Sequence, residues 1–174
     1  MSLEIQQKLI PLRAMAHPLR LQILSLTAGA ALSAAELAQE LGIAHAAASY
    51  HARQLAEAGL LQVVDDDGER SGPGRPPVRY RYDHRLGGHL DRSTDAEALW
   101  AATAHDMQRR VRARTRHHVG ADAEVWLSSE DFEEACALAA QLSDLMHERA
   151  QRPRAEGTVH ASVSAYAFEL GDER

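Results

Sequence analysis

The sequence predicts an α+β protein that is mainly helical, and three observations predict it. Alanine is abundant while aromatic residues are only 5% of the 174, a balance that favours helices. Caps and helix-breaking glycines bracket apolar stretches of helical period. Two short β-type runs, LLQVV and VRYRY, flank a turn-rich tract. Hydrophobic residues are 45% and charged residues 25%, which excludes wholesale disorder. The single cysteine, Cys136, excludes an internal disulfide and any site built on paired cysteines. No apolar run approaches the ~20 residues of a membrane span. MSLEIQQKLI lacks a basic start followed by an apolar stretch, so no signal peptide is expected and the cytoplasm is the expected compartment.

Taken in order, Leu3, Ile5, Leu9 and Leu12 predict a short helix that kinks or stops at Pro11. A second helix opens at Pro18, a good first-turn residue, and ends near Gly29. Ser33 and Glu36 have capping-box spacing and start a short helix, AAELAQEL, that stops at Gly42. Another follows over about 45–58 and ends at Gly59. LLQVV and VRYRY then predict a hairpin over 61–83, with Val78, Tyr80 and Tyr82 on one face and Arg79 and Arg81 on the other. A long helix is expected over about 95–118. AEVWL at 123–127 reads as a short strand, Ser128 to Asp131 as a cap for a helix to about 149, and GTVHASVSAYAFEL as a final strand.

The net charge of −6 conceals two unlike halves. Residues 1–90 carry nine basic and nine acidic side chains; residues 91–174 carry ten and sixteen. A neutral half can still bind DNA when its arginines share one face. Two short helices joined by a tight turn set the second across the first, where it can enter a major groove. On the helix at 45–58, Ala48, Ala52 and Leu55 form an inward stripe, with Leu60 beyond. His45, Ala46, Ala47, Ser49, Tyr50 and Arg53 are left outside or at the N-terminal end. Hydroxyls, imidazole, methyls and a guanidinium are the groups that read base edges and phosphates. Glu57 is the first acid along that helix.

The blocks MAHPLRLQIL, SAAELAQELGI and ASYHARQLAEAGLL, followed by a hairpin, resemble the winged helix-turn-helix of ArsR-type transcriptional regulators over about residues 10–85. The resemblance implies a recognition helix at 45–58, a wing at 61–83 and a homodimer on a palindromic operator. Ala48 and Ala52 stand where larger aliphatics are usual in that family. The paired cysteines of its metal sensors are absent. Asp106 and His117, eleven apart, share a helix face but supply one pair per subunit, so no metal and no cofactor is expected.

The remaining candidates are weighed against plainer roles. His17 reads as a cap or surface residue, Cys136 as a small buried hydrophobe, Trp100 and Trp126 as core. The run from Arg109 to Arg116 reads as a solvated face paired with acids. At the wing tip, Arg75 lies between prolines in GPGRPP, similar to the Gly-Arg-Pro core of minor-groove hooks; a narrow minor groove concentrates negative potential. Asp65, Asp66 and Asp67 should point away from phosphate.

The expected organisation is a winged helix-turn-helix DNA-binding domain over 1–90, then a dimerisation and effector region over 91–174. The latter holds a long dimerisation helix and a small strand-helix-strand region. The expected function is a sequence-specific transcriptional regulator, a repressor, acting on double-stranded DNA as a homodimer through His45, Ala46, Ala47, Ser49, Tyr50, Arg53, Arg70, Arg75 and Arg79. The dimer would join through Ala98, Ala101, Ala102, Ala104, Met107 and Val111, with Ile5, Leu9 and Leu12; alternatively these stripes pack on their own subunit. Residues 119–174 would either close a pocket for a small-molecule effector or extend the dimer. The alternative function is a protein-binding winged helix without DNA contact. No Ser-His-Asp order and no phosphate-cradling glycine loop points to an enzyme.

Overall fold

The structure, a computed structural model, describes residues 13–64, 76–84, 94–116 and 119–171. The expected first helix, with Ile5, Leu9 and Leu12, lies outside the described residues, as do the wing tip and His117. Helix α1 spans Pro18–Ala28, with Pro18 in the first turn and His17 as its cap: the Leu19 amide donates to His17 Nδ1 at 3.2 Å. Its buried face is Ile23, Leu24 and Thr27. The Thr27 hydroxyl is satisfied inside the core by the Ile23 carbonyl at 2.7 Å.

After α1 the chain makes a two-residue strand, β1 (Leu32–Ser33), that periodicity does not predict. Ser33 also caps α2 (Ala34–Leu41) in the expected capping box, and Gly42 ends that helix at φ 65°, a left-handed conformation that glycine adopts without strain. Helix α3 (His45–Glu57) follows after three residues, Gly42 to Ala44. Gly59, at φ 73°, turns the chain into β2 (Leu61–Val64), and β3 (Arg79–Tyr82) returns antiparallel. The sheet order is β1-β3-β2, with Leu32 opposite Tyr80 and Val63 opposite the same tyrosine.

One core serves all of these elements. Ile23, Leu37, Ala48, Ala52, Leu55 and Leu60 are fully buried, with Leu32, Leu61 and Tyr80 closing it toward the sheet. Ala48 and Ala52, small residues on the inward stripe of α3, let that helix lie close to its neighbours. A larger side chain there would overpack the site.

Helix α4 spans Thr94–Arg112 and packs on α1, and its Ala96, Leu99 and Ala102 are buried. Ala102 of the expected dimer stripe is thus buried within the chain, as is Leu99 beside it, whereas Ala98, Ala101 and Ala104 are exposed. The helix ends at 112, short of the expected 118. Beyond Val111 no large apolar residue is available to hold another turn. The Ala113 amide forks between the carbonyls of Arg109 and Arg110, and Arg114 Nη1 caps the Val111 carbonyl at 2.8 Å.

Helix α5 (Ser129–Arg149) starts where expected: Ser128 Oγ accepts from the Asp131 amide at 3.1 Å. The strands expected at 123–127 and over GTVHASVSAYAFEL do not form. Strand-forming residues need a pleated, half-buried surface to lie on, and these have none: Val125 is 59% and Val159 85% exposed. Trp126, expected in a core, is 95% exposed, and Cys136 is half-buried. The strand-helix-strand region is therefore one helix between two unpaired segments. Among the described residues, no helix is long and apolar enough to cross a membrane.

Candidate nucleic-acid interface

Helix α3 is positioned from both ends. Ala44 starts it without a side-chain cap, leaving first-turn amides open beside His45 and Ala46, which are exposed. At the far end the Leu60 amide returns to the Leu55 carbonyl at 2.9 Å, locking the helix to the hairpin. Ala48, Ala52 and Leu55 take one side into the core. Opposite stand His45, Ala46, Tyr50 and Arg53, exposed, with Ala47 and Ser49 half-buried beside them. Arg53 Nε donates to the Ser49 carbonyl at 3.3 Å, which lays the guanidinium along this face. The face bears no acid from His45 to Arg53, and Glu57 at its end accepts from Gln54 Nε2 at 2.8 Å.

Three residues that the sequence did not single out for this face join it. The His51 ring lies 4.7 Å from that of His17 and edge-on to Tyr50 at 5.3 Å. Arg20 links His51 to the chain ahead of α1: Nη1 donates to the Ala14 carbonyl at 3.1 Å and Nε makes a long contact, 3.5 Å, to His51 Nδ1. Burial pushes the pKa of His51 down, and the charges of His17 and Arg20 add to it; burial and Arg20 do the same to His17. Both imidazoles are thus biased toward the neutral form. With Nδ1 of His51 accepting, its proton sits on Nε2. The sequence signal for the cluster was faint, one histidine before Pro18 and one beside Tyr50.

The hairpin base has different chemistry. Arg79 Nη1 donates to Glu36 Oε2 at 2.8 Å and to the Ala31 carbonyl at 3.2 Å. The same carboxylate accepts from the Ser33 amide and hydroxyl, each at 2.8 Å, and from Arg152 on its other oxygen. Burial works to raise the Glu36 pKa, but the Ser33 hydrogen bonds and the charges of Arg79 and Arg152 outweigh it, and the pKa is lowered. Arg79 is therefore held toward α2. Arg70 and Arg75 lie outside the described residues. Among the described residues, no three His, Cys, Asp or Glu side chains gather as a metal site. Asp106, considered as a ligand, is fully buried and occupied by Gln22, Arg109 and Arg110.

Residues 15–64, which include α1 to β2, match the family described as "Helix-turn-helix domain". No curated protein matches the chain. Among solved structures it is similar to the YusO protein from Bacillus subtilis, at 17% identity over 81% of this chain and 85% of that one, with a TM-score of 0.36.

Proposed function

We propose that this protein is a sequence-specific DNA-binding transcriptional regulator of the ArsR type, acting as a homodimeric repressor. The observation that carries the reading is the acid-free outer face of α3, where His45, Ala46, Tyr50 and Arg53 are exposed on a helix whose other side is fixed in the core. In this reading α3 enters a major groove. Ala46 and Ala47 meet thymine methyls, Ser49 and Tyr50 reach base edges or phosphate, and Arg53 takes guanine or phosphate. The hairpin after Leu60 would then bring the wing to the flanking backbone or minor groove, where Arg70 and Arg75 contribute. Arg79 serves by holding the wing base to α2.

Geometry and charge together support this reading. One such unit reads only a few base pairs, so two copies related by a two-fold axis would read a palindrome and gain specificity. Occupying an operator that overlaps a promoter would repress it. A gel shift with the DNA upstream of the protein's own gene tests this. The expected result is a band that survives an excess of unrelated duplex. A band that unrelated duplex removes as readily as operator would contradict sequence-specific binding.

A further inference from the structure

Three arginines among the described residues are half-buried: Arg20, Arg79 and Arg110. Arg79 and Arg110 meet carboxylates, those of Glu36 and Asp106. Arg20 meets none among the described residues. Its contacts are the Ala14 carbonyl at 3.1 Å and His51 Nδ1 at 3.5 Å. A guanidinium drawn partly out of water is ordinarily matched by an anion, and this one has only a carbonyl and a long contact to a ring. Two further rings flank His51: His17 at 4.7 Å and Tyr50 at 5.3 Å between centroids.

The described acids on the elements packed against α1 and α3 are committed elsewhere. On α2, Glu36 is held by Ser33, Arg79 and Arg152, and Glu40 by Arg154. On α4, Asp106 is buried under Gln22, Arg109 and Arg110, and exposed Glu97 acts on neither imidazole. On α3 itself, Glu57 accepts from Gln54. The charges that act on the two imidazoles, besides burial, are positive: Arg20 on both and His17 on His51. Arg13 ahead of α1, Arg81 of β3, and His45 and Arg53 of α3 are exposed and add only basic groups.

Hydrogen bonding decides where an anion can enter. His17 Nδ1 accepts from the Leu19 amide at 3.2 Å, so it cannot take a proton without losing the cap of α1. His51 Nδ1 has only the long Arg20 contact to lose. A phosphate oxygen between these two accepts from Arg20 Nε and, once His51 Nδ1 carries a proton from solvent, from that nitrogen as well. Charge-assisted bonds of ~2.7–2.9 Å then replace a contact of 3.5 Å. The imidazolium faces an anion instead of an unmatched guanidinium. His51 follows Tyr50, which is exposed on the outer face of α3, so the cluster borders the surface proposed to enter the groove, where backbone phosphates run.

We infer that Arg20 and His51 form a seat for one phosphate group of the duplex backbone, beside the groove that α3 reads, and that filling it takes up one proton at His51. The inference rests on the reading of α3 as the DNA-contacting helix. It adds a sequence-independent contact from α1.

Fluorescence anisotropy on the full chain tests it, with operator and unrelated duplexes at constant ionic strength between pH 5.5 and 8. Wild-type affinity for both should rise as pH falls, by up to about tenfold per pH unit where one proton is taken up. His51→Gln keeps an acceptor for Arg20 but cannot titrate; it should lose that slope and keep its operator preference. Arg20→Gln should weaken both duplexes about equally and reduce the salt slope by about one. Circular dichroism checks that each variant folds, and if Arg20→Gln does not, the pH slope of His51→Gln decides. A His51→Gln chain that binds operator with the wild-type pH slope overturns the seat while the α3 reading stands. Wild type that binds neither duplex overturns both. Inorganic phosphate, set against chloride of equal ionic strength, separates the two sources of the group. It should leave the thermal midpoint unchanged, because free phosphate lacks the duplex's other contacts. If it raises the midpoint of wild type but not of His51→Gln, and duplex binding shows no pH slope, the seat takes free phosphate and the duplex assignment is overturned.

Discussion

Gln22 on α1 and Asp106 on α4 are joined across 84 residues of sequence by a 3.2 Å hydrogen bond, at the point where the long helix rests on the helix-turn-helix unit. The Asp106 carboxylate is fully buried; Arg109 Nε donates to Oδ1 at 2.8 Å and Arg110 to Oδ2 at 2.6 Å. Burial favours the neutral acid, but the two arginine hydrogen bonds and charges outweigh it, and the Asp106 pKa is lowered. Charge-assisted bonds of this kind are the stronger class.

Asp106→Ala should therefore destabilise the protein by about 2 kcal/mol, the scale of hydrogen bonds to a charged group. Urea unfolding measures it. The sign with pH follows from the lowered pKa: the carboxylate's contribution is full above the ordinary aspartate range and disappears as pH falls through its own pKa. The variant should lack that acid-side loss.

Glu36→Ala removes a capping residue, the Arg79 contact and the Arg152 contact together. The cap alone is worth about 1 kcal/mol, and the partly exposed ion pairs add a few tenths each. A drop in the urea midpoint with an unchanged slope is expected. Added salt should narrow the gap from wild type, because the ion-pair share is screened.

His17 and His51 give the same pH sense in a higher pH range. Their folded pKa values are depressed by burial and by Arg20, so the unfolded chain binds protons first as pH falls below about 6.5. Stability should be level above that range and decline as pH is lowered through it. His51→Gln should flatten part of the decline, as followed by thermal unfolding between pH 7.5 and 5.

Gly29 lies where residues 150–155 cross the end of α1. A Cβ there would run into the Gln151 carbonyl oxygen, a backbone atom that must then move. The crossing segment is tied down by Arg152 on Glu36 and Arg154 on Glu40. Gly29→Ala should lift it, and trypsin should then cleave after Arg154 several-fold faster than in wild type. Unchanged cleavage would mean that the segment is not seated there.

The parts of the fold legible in sequence were those with local causes. The Ser33/Glu36 box, the stops at Gly42 and Gly59, and the inward run Ala48, Ala52, Leu55 each depend on residues within a turn or two, and each is present as expected. β1 was not legible because two residues have no periodicity; it exists through the distant pairing of Leu32 with Tyr80. The strand patterns at 123–127 and 157–170 record what those residues would suit, but no strand among the described residues pairs with them. At the candidate site, the outer face of α3 was legible from spacing alone. The orientation of Arg79 was not, since its partner Glu36 is 43 residues away. The Arg20–His51 contact spans 31 residues and was hidden for the same reason.

The central claim is that α3 reads DNA through its outer face. The direct measurement is a competition gel shift with Ser49→Ala, Tyr50→Ala and Arg53→Ala combined in one chain. All three side chains lie outside the fully buried core, so the fold should survive, as circular dichroism would show. The account predicts that this variant loses its preference for operator over unrelated duplex by at least tenfold, with residual salt-sensitive binding. A folded variant that selects the operator as wild type does would contradict it.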